Sequence, residues 1–115
     1  MTAAPEHQHI TTLLEPAEGD TVLVKHRYSA FQLSNLEHLL GVRGRDQIII
    51  CGVYAHIGCL LTAAEAFQRD IKPFLVADAV ADFCRDDHDM ALRYLAKTTG
   101  VPLTLSTLLS QIQGN

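Results

Sequence analysis

Ile48-Ile49-Ile50-Cys51 is a run of four apolar residues with no polar alternation, and it constrains the fold more than any other stretch of the chain. A strand with one face in water alternates; a strand covered on both faces does not. Such a strand belongs in the middle of a parallel sheet flanked by helices. The run opens into Gly52-Val53-Tyr54-Ala55-His56-Ile57-Gly58, a turn with glycine at both ends. Residues 58–69 then form an apolar segment (Leu60, Leu61, Ala63, Ala64, Ala66, Phe67) that predicts a helix packed on more than one side.

The same grammar extends in both directions. Thr21-Val22-Leu23-Val24-Lys25 is rich in β-branched residues and predicts a strand. Ser34 with Glu37 has the spacing of a capping box for a helix that Gly41 would end. Pro73-Phe74-Leu75-Val76-Ala77 predicts another buried strand, with Asp78 at its end. Asp86 and Asp89 open a helix whose later turns carry Arg93 and Lys97, as the helix dipole favours. Residues 101–105 form a short strand that Pro102 places at an edge, and Ser106 caps a closing helix. Strand and helix thus alternate throughout, which implies right-handed crossovers and an α/β, three-layer, mostly parallel Rossmann-like sheet. Residues 1–20 are poorly patterned, with one short apolar cluster (Ile10, Leu13, Leu14) stopped by Pro16 and Gly19, so the domain proper is assigned to residues 21–115.

Net charge excludes one class of function. The chain carries −4 at pH 7 over 115 residues, with no basic cluster, so no nucleic-acid partner is expected. No apolar stretch is long enough to span a bilayer, and no secretory leader is visible, so no membrane partner is expected. Cys51, Cys59 and Cys84 are odd in number and unpaired in spacing, which suits a reducing, cytoplasmic location better than a disulfide scaffold or zinc site.

In an open parallel sheet, ligands bind beyond the carboxyl ends of the strands. Residues 25–31, 52–58 and 78–82 fall there. The glycines of the 52–58 turn would let an anion approach the free N–H groups at the following helix N-terminus, although such glycines also serve close packing. Lys25 stands at the mouth of the crevice, either as a solvated strand-end lysine or, in the company of Arg27, Tyr28, Ser29 and Phe31, as part of a site. His56 is read as a substrate contact or as a satisfied structural histidine. Cys59, one position past Gly58, is read as a packed core cysteine, and Asp78 and Asp82 as loop-ordering caps. Capping accounts for Asp86-Asp87-His88-Asp89 without a metal, because neighbours at this spacing do not converge on a helix.

Lys25-His26-Arg27-Tyr28-Ser29-Ala30-Phe31 and Gly52-Val53-Tyr54-Ala55-His56-Ile57-Gly58, followed by Asp78, Val80, Asp82 and His88, resemble the isochorismatases of catechol siderophore synthesis, from about Pro5 to Leu109. The wider cysteine-hydrolase-like superfamily, nicotinamidases included, shares the lysine segment, but its nucleophilic cysteine corresponds here to Gly58. The resemblance implies hydrolysis of isochorismate to pyruvate and 2,3-dihydro-2,3-dihydroxybenzoate, with no cofactor and no metal. It implies that Lys25 and Gly58 serve catalysis, with Lys25 tuning an acidic proton. Tyr54, Arg27, Tyr28 and His56 would contact substrate, and a cis peptide is implied at Val53-Tyr54. The family's general-acid aspartate ends an early strand for which Glu6, Glu15, Glu18 and Asp20 lie in the wrong context. The chain is therefore expected to be the C-terminal part of such a domain, lacking the N-terminal strands. Self-association, or a second chain supplying the other half, would complete it. The alternatives are a non-catalytic remnant or interaction subunit, and, third, a cysteine amidohydrolase.

Overall fold

The computed structural model describes residues 10–113; residues 1–9, with Pro5 and Glu6, lie outside it. Three strands, β1 (Gln47–Val53), β2 (Lys72–Ala81) and β3 (Val101–Leu103), form one parallel sheet in the order β1-β2-β3. Helices α1 (Leu36–Val42), α2 (Leu60–Gln68), α3 (Arg85–Thr98) and α4 (Leu105–Gln113) connect or follow them.

Strand alternation separates the layers. Ile50 and its partner Leu75 point to the face covered by α2 and α3, where they pack with Ala63, Ala91 and Leu95. Ile49 and its partner Phe74 point the other way, where with Leu103 they line a groove against Leu108 and Ile112 of α4. A satellite core of Phe31, Ala66 and Ile71 collects Leu36 and Leu40 from α1. The small residues Ala63, Ala66 and Ala91, all fully buried, let the helices approach closely.

Several expectations are corrected. Residues 21–25 are irregular and exposed, not a strand; Val24 keeps 72% of its surface. β-branched side chains favour extended backbone, but a strand also needs a ladder partner, and none is reached among the described residues. β1 is consequently an edge of the sheet rather than its middle. Only Ile50 in it is buried, and Ile49 is half exposed. β2 runs past Ala77 to Ala81, because its register against β1 slips: Ile50 pairs with Leu75, but Gly52 pairs with Val80. Residues 76–79 bulge from that ladder, freeing Asp78 to accept the backbone N–H of Leu105 at 2.8 Å.

The caps differ too. Ser34 Oγ accepts the Leu36 N–H at 3.3 Å while donating to the Ala30 carbonyl, but Glu37 pairs with Arg69 instead of closing the capping box. Helix α1 passes through Gly41 before closing at Gly44, in a left-handed conformation at φ +65°. Thr104 replaces Ser106 as the side-chain cap of α4, accepting the Thr107 N–H at 3.2 Å. No side-chain cap forms at α3, which leaves Asp86 and Asp87 in its first turn to favour the dipole.

Candidate active site

β1 ends at the register slip, where Gly52 adopts φ +118°, a conformation a side chain would resist. The Val53-Tyr54 peptide that follows is cis, as the family resemblance implied. Ala55–Cys59 then form one wide helical turn that feeds α2, so the helix begins before Gly58. Gly58 is buried and faces Lys25: a Cβ built on it would stand 3.1 Å from the lysine Nζ and 3.3 Å from the Tyr28 carbonyl. Lys25 Nζ itself donates to that carbonyl at 3.1 Å. The two residues thus open on the same cleft, of about 280 Å³, with Ile50, Val53, Cys59 and Thr62 among its walls. No carboxylate among the described residues lines it.

The loop that presents Lys25 has no strand to hold it, and α2 does so instead. Ser29 Oγ donates to Glu65 at 2.6 Å, Gln32 donates to the same carboxylate at 2.7 Å, and the Ala30 N–H reaches Thr62 Oγ1 at 3.0 Å. Arg69 clamps Glu65 from the next turn and also takes Glu37. Burial alone would raise the Glu65 carboxyl, but the bonds from Ser29, Arg69 and Gln32 outweigh it and hold it below the usual carboxylate range. Glu65 and Thr62 were missed from the sequence. Their only signal was a single carboxylate and hydroxyl inside an otherwise apolar helix.

Arg27 and Tyr28 do not enter the Lys25 cleft. The Arg27 guanidinium donates to the His26 carbonyl at 2.8 Å, and both side chains line a separate depression with Leu61, Ala64 and Gln68. His56 is turned towards α3. Its backbone N–H donates to Asp82 at 2.8 Å, its Nδ1 lies 2.7 Å from the same carboxylate, and its Nε2 is 3.8 Å from Asp87. The Asp82 side chain is completely covered, which alone would raise its carboxyl; the N–H groups of Phe83 and His56 and the His56 ring instead hold it low. His56, Asp82 and Asp87 bring potential metal-ligating atoms within 4.8 Å of one another, but the hydrogen bonds already account for Asp82. Tyr54 stacks on Phe83, ring centroids 4.1 Å apart, a contact that no pattern in the sequence encodes.

Cys59 is buried, and burial, with Cys51 nearby, pushes its thiol up to about 11. A thiol so held stays protonated at neutral pH and is a poor nucleophile. The described residues thus bring an ammonium against a tight glycine turn, beside a cysteine that offers no thiolate at neutral pH. No helix among the described residues is long and apolar enough to cross a membrane.

The isochorismatase domain family model matches residues 1–107. Enterobactin synthase component B of Escherichia coli K12 is 56% identical over 109 residues, covering 95% of this chain and 38% of that protein. The isochorismatase of Bacillus subtilis is 50% identical over 113 residues, covering 98% of this chain and 36% of that protein. Among solved structures, an isochorismatase family protein from Desulfovibrio vulgaris superposes with a TM-score of 0.80 at 32% identity, covering 92% of this chain and 55% of that one. This chain spans well under half the length of the two curated relatives, and on the family match the conclusion is direct: it belongs to the isochorismatase family.

Proposed function

We propose that this chain forms the lysine-and-turn half of an isochorismatase active site, hydrolysing the enol ether of isochorismate once a carboxylic acid is brought to the Lys25 cleft. The observation that carries the reading is the close approach of Lys25 Nζ to Gly58, 3.1 Å from where a Cβ at that position would stand. A Cβ at position 58 would crowd the ammonium, and the glycine leaves open beside Lys25 the place where the cysteine hydrolases, which share the lysine segment, carry their nucleophile. The chemistry then follows. A carboxylic acid protonates the terminal vinyl carbon, water adds to the resulting oxocarbenium carbon, and the hemiketal collapses to pyruvate and the ring alcohol. The Lys25 charge favours the carboxylate left behind, so it stabilises charge that develops in the transition state. Tyr54 would orient the substrate, with the peptides near Gly58 meeting its carboxylate. The proposed setting is the cytoplasm, with the acid supplied by a polypeptide segment outside residues 10–113. The relative named as a component of enterobactin synthase supports a role in siderophore synthesis.

The test measures pyruvate release from isochorismate by the 115-residue chain, alone and mixed with a polypeptide carrying the carboxylate-bearing early strands of a related isochorismatase. Little release alone, restoration on mixing, and loss with Lys25→Ala support the reading. Robust release by the chain alone that Asp78→Asn abolishes would place the acid elsewhere; no release from the mixture would overturn the assignment. Thiol-alkylating reagent separates the amidohydrolase alternative, since turnover blocked by labelling of Cys59 would favour it.

A further inference from the structure

We propose that Phe83 is a positioning residue for Tyr54, which directly follows Val53 in the wall of the Lys25 cleft, an inference that rests on the reading above. Tyr54 belongs to no helix or strand and is 40% exposed, so core packing does not fix its side-chain rotamer. Phe83 is 68% exposed, and its removal would cost little core burial. The two rings nevertheless stack, 4.1 Å apart and 22° from parallel.

The backbone explains why this contact is held. One covered carboxylate, Asp82, accepts the Phe83 N–H at 2.9 Å on one oxygen and the His56 N–H at 2.8 Å on the other. Tyr54 lies two residues before His56, and Phe83 directly follows Asp82. Both rings are therefore suspended from a single anchor that joins the end of β2 to the turn after β1. The His56 ring, at 6.4 Å and edge-on to Phe83, flanks the pair. Aromatic stacking of this kind restricts rotation about the tyrosine side chain without burying its hydroxyl end, leaving that end for a ligand.

The probe is isochorismate titrated into the full chain and its variants, observed through the Tyr54 ring resonances by NMR. In the parent protein the stacked Phe83 ring shifts the Tyr54 protons upfield, and isochorismate moves them further. Phe83→Ala abolishes the ring-current shift and weakens binding by about fivefold to tenfold. Phe83→Tyr restores both, which a merely structural loss would not. Asp82 and its two backbone bonds remain in all three proteins, and circular dichroism checks the fold. Lys25→Ala separates the two ideas. If it abolishes binding while Phe83→Ala binds as the parent does, the positioning role is overturned and the site assignment stands. If isochorismate binds the parent independently of Lys25, or binds neither the parent nor its mixture with the carboxylate-bearing polypeptide, the assignment falls and this role falls with it.

Discussion

Replacing Gly58 by alanine tests the geometry at the centre of the site. The new Cβ would lie 3.1 Å from Lys25 Nζ and 3.3 Å from the Tyr28 carbonyl. Both are tighter than ordinary contact, but the first neighbour is the tip of a flexible side chain. The ammonium therefore gives way, by a few tenths of an ångström up to about 1 Å, loosening its bond to Tyr28. Alanine meanwhile suits a helical turn better than glycine by roughly 1 kcal/mol, so folding stability should stay within about 1 kcal/mol of the parent. The electrostatic loss is larger. Moving a cation from 3 to 4 Å from a substrate or catalytic carboxylate costs about 1.4 kcal/mol at an effective dielectric of 20, and about 0.3 kcal/mol in fully aqueous surroundings. Because Lys25 is exposed, the expected loss lies between these limits, about twofold to tenfold in isochorismate affinity or in turnover of the reconstituted protein. Urea unfolding measures the first quantity; NMR titration and pyruvate release measure the second. A variant strongly destabilised, yet binding and turning over as the parent does, would refute the claim that Gly58 exists to make room for the lysine.

Asp82→Ala should cost on the order of 3 kcal/mol at neutral pH, since it strips the partners from the His56 and Phe83 N–H groups. The folded carboxyl is held low, so its stabilisation is complete above the ordinary aspartate value of about 3.9 and fades as pH falls through the lower folded value; acid titration of urea unfolding should show parent and variant converging only below about pH 4. Hydrogen exchange should find residues 21–25 unprotected beside β1, with sedimentation showing concentration-dependent association through the free β1 edge. A monomer in which both segments are equally protected would contradict that.

What the sequence made legible was local. The Ile48–Cys51 run, the paired glycines and the apolar residues of α2 each state their element within a few positions, and all three elements are present. The misreadings share a cause: they depended on partners distant in the chain. Residues 21–25 have strand-forming side chains but no ladder to join. Asp78 looked like a strand terminus, and the slip at Gly52 carries β2 beyond it. Ser34 and Glu37 had capping-box spacing, but Glu37 was claimed by Arg69, 32 residues away. At the site, Lys25 and the 52–58 turn were placed on one crevice by the carboxyl ends of two expected strands, one of which does not form, and the resemblance alone gave Gly58 a catalytic part. The contacts that deliver Lys25 run from Ser29 to Glu65, across 36 residues, and no periodicity encodes them.

Two deficits coincide on the outer edge of β1, and they arise from independent physics. One is apolar: three consecutive isoleucines suit burial on both faces, yet only Ile50 is buried, and the edge away from β2 has no ladder partner among the described residues. The other is electrostatic: Lys25 is fixed over that same edge by its bond to Tyr28 and by the Glu65 network, in a cleft whose described walls carry no carboxylate. A helix laid along β1 would cover the isoleucines but leave the ladder groups unpaired. A free anion would answer the ammonium but leave the apolar edge in water. The family resemblance implies an early strand that ends in a carboxylate, and on the function proposed above such a strand beside β1 would answer the backbone, the side chains and the charge together. On that reading, the bonds from Ser29 and Gln32 to Glu65 and from Ala30 to Thr62 would hold the lysine loop in place for it.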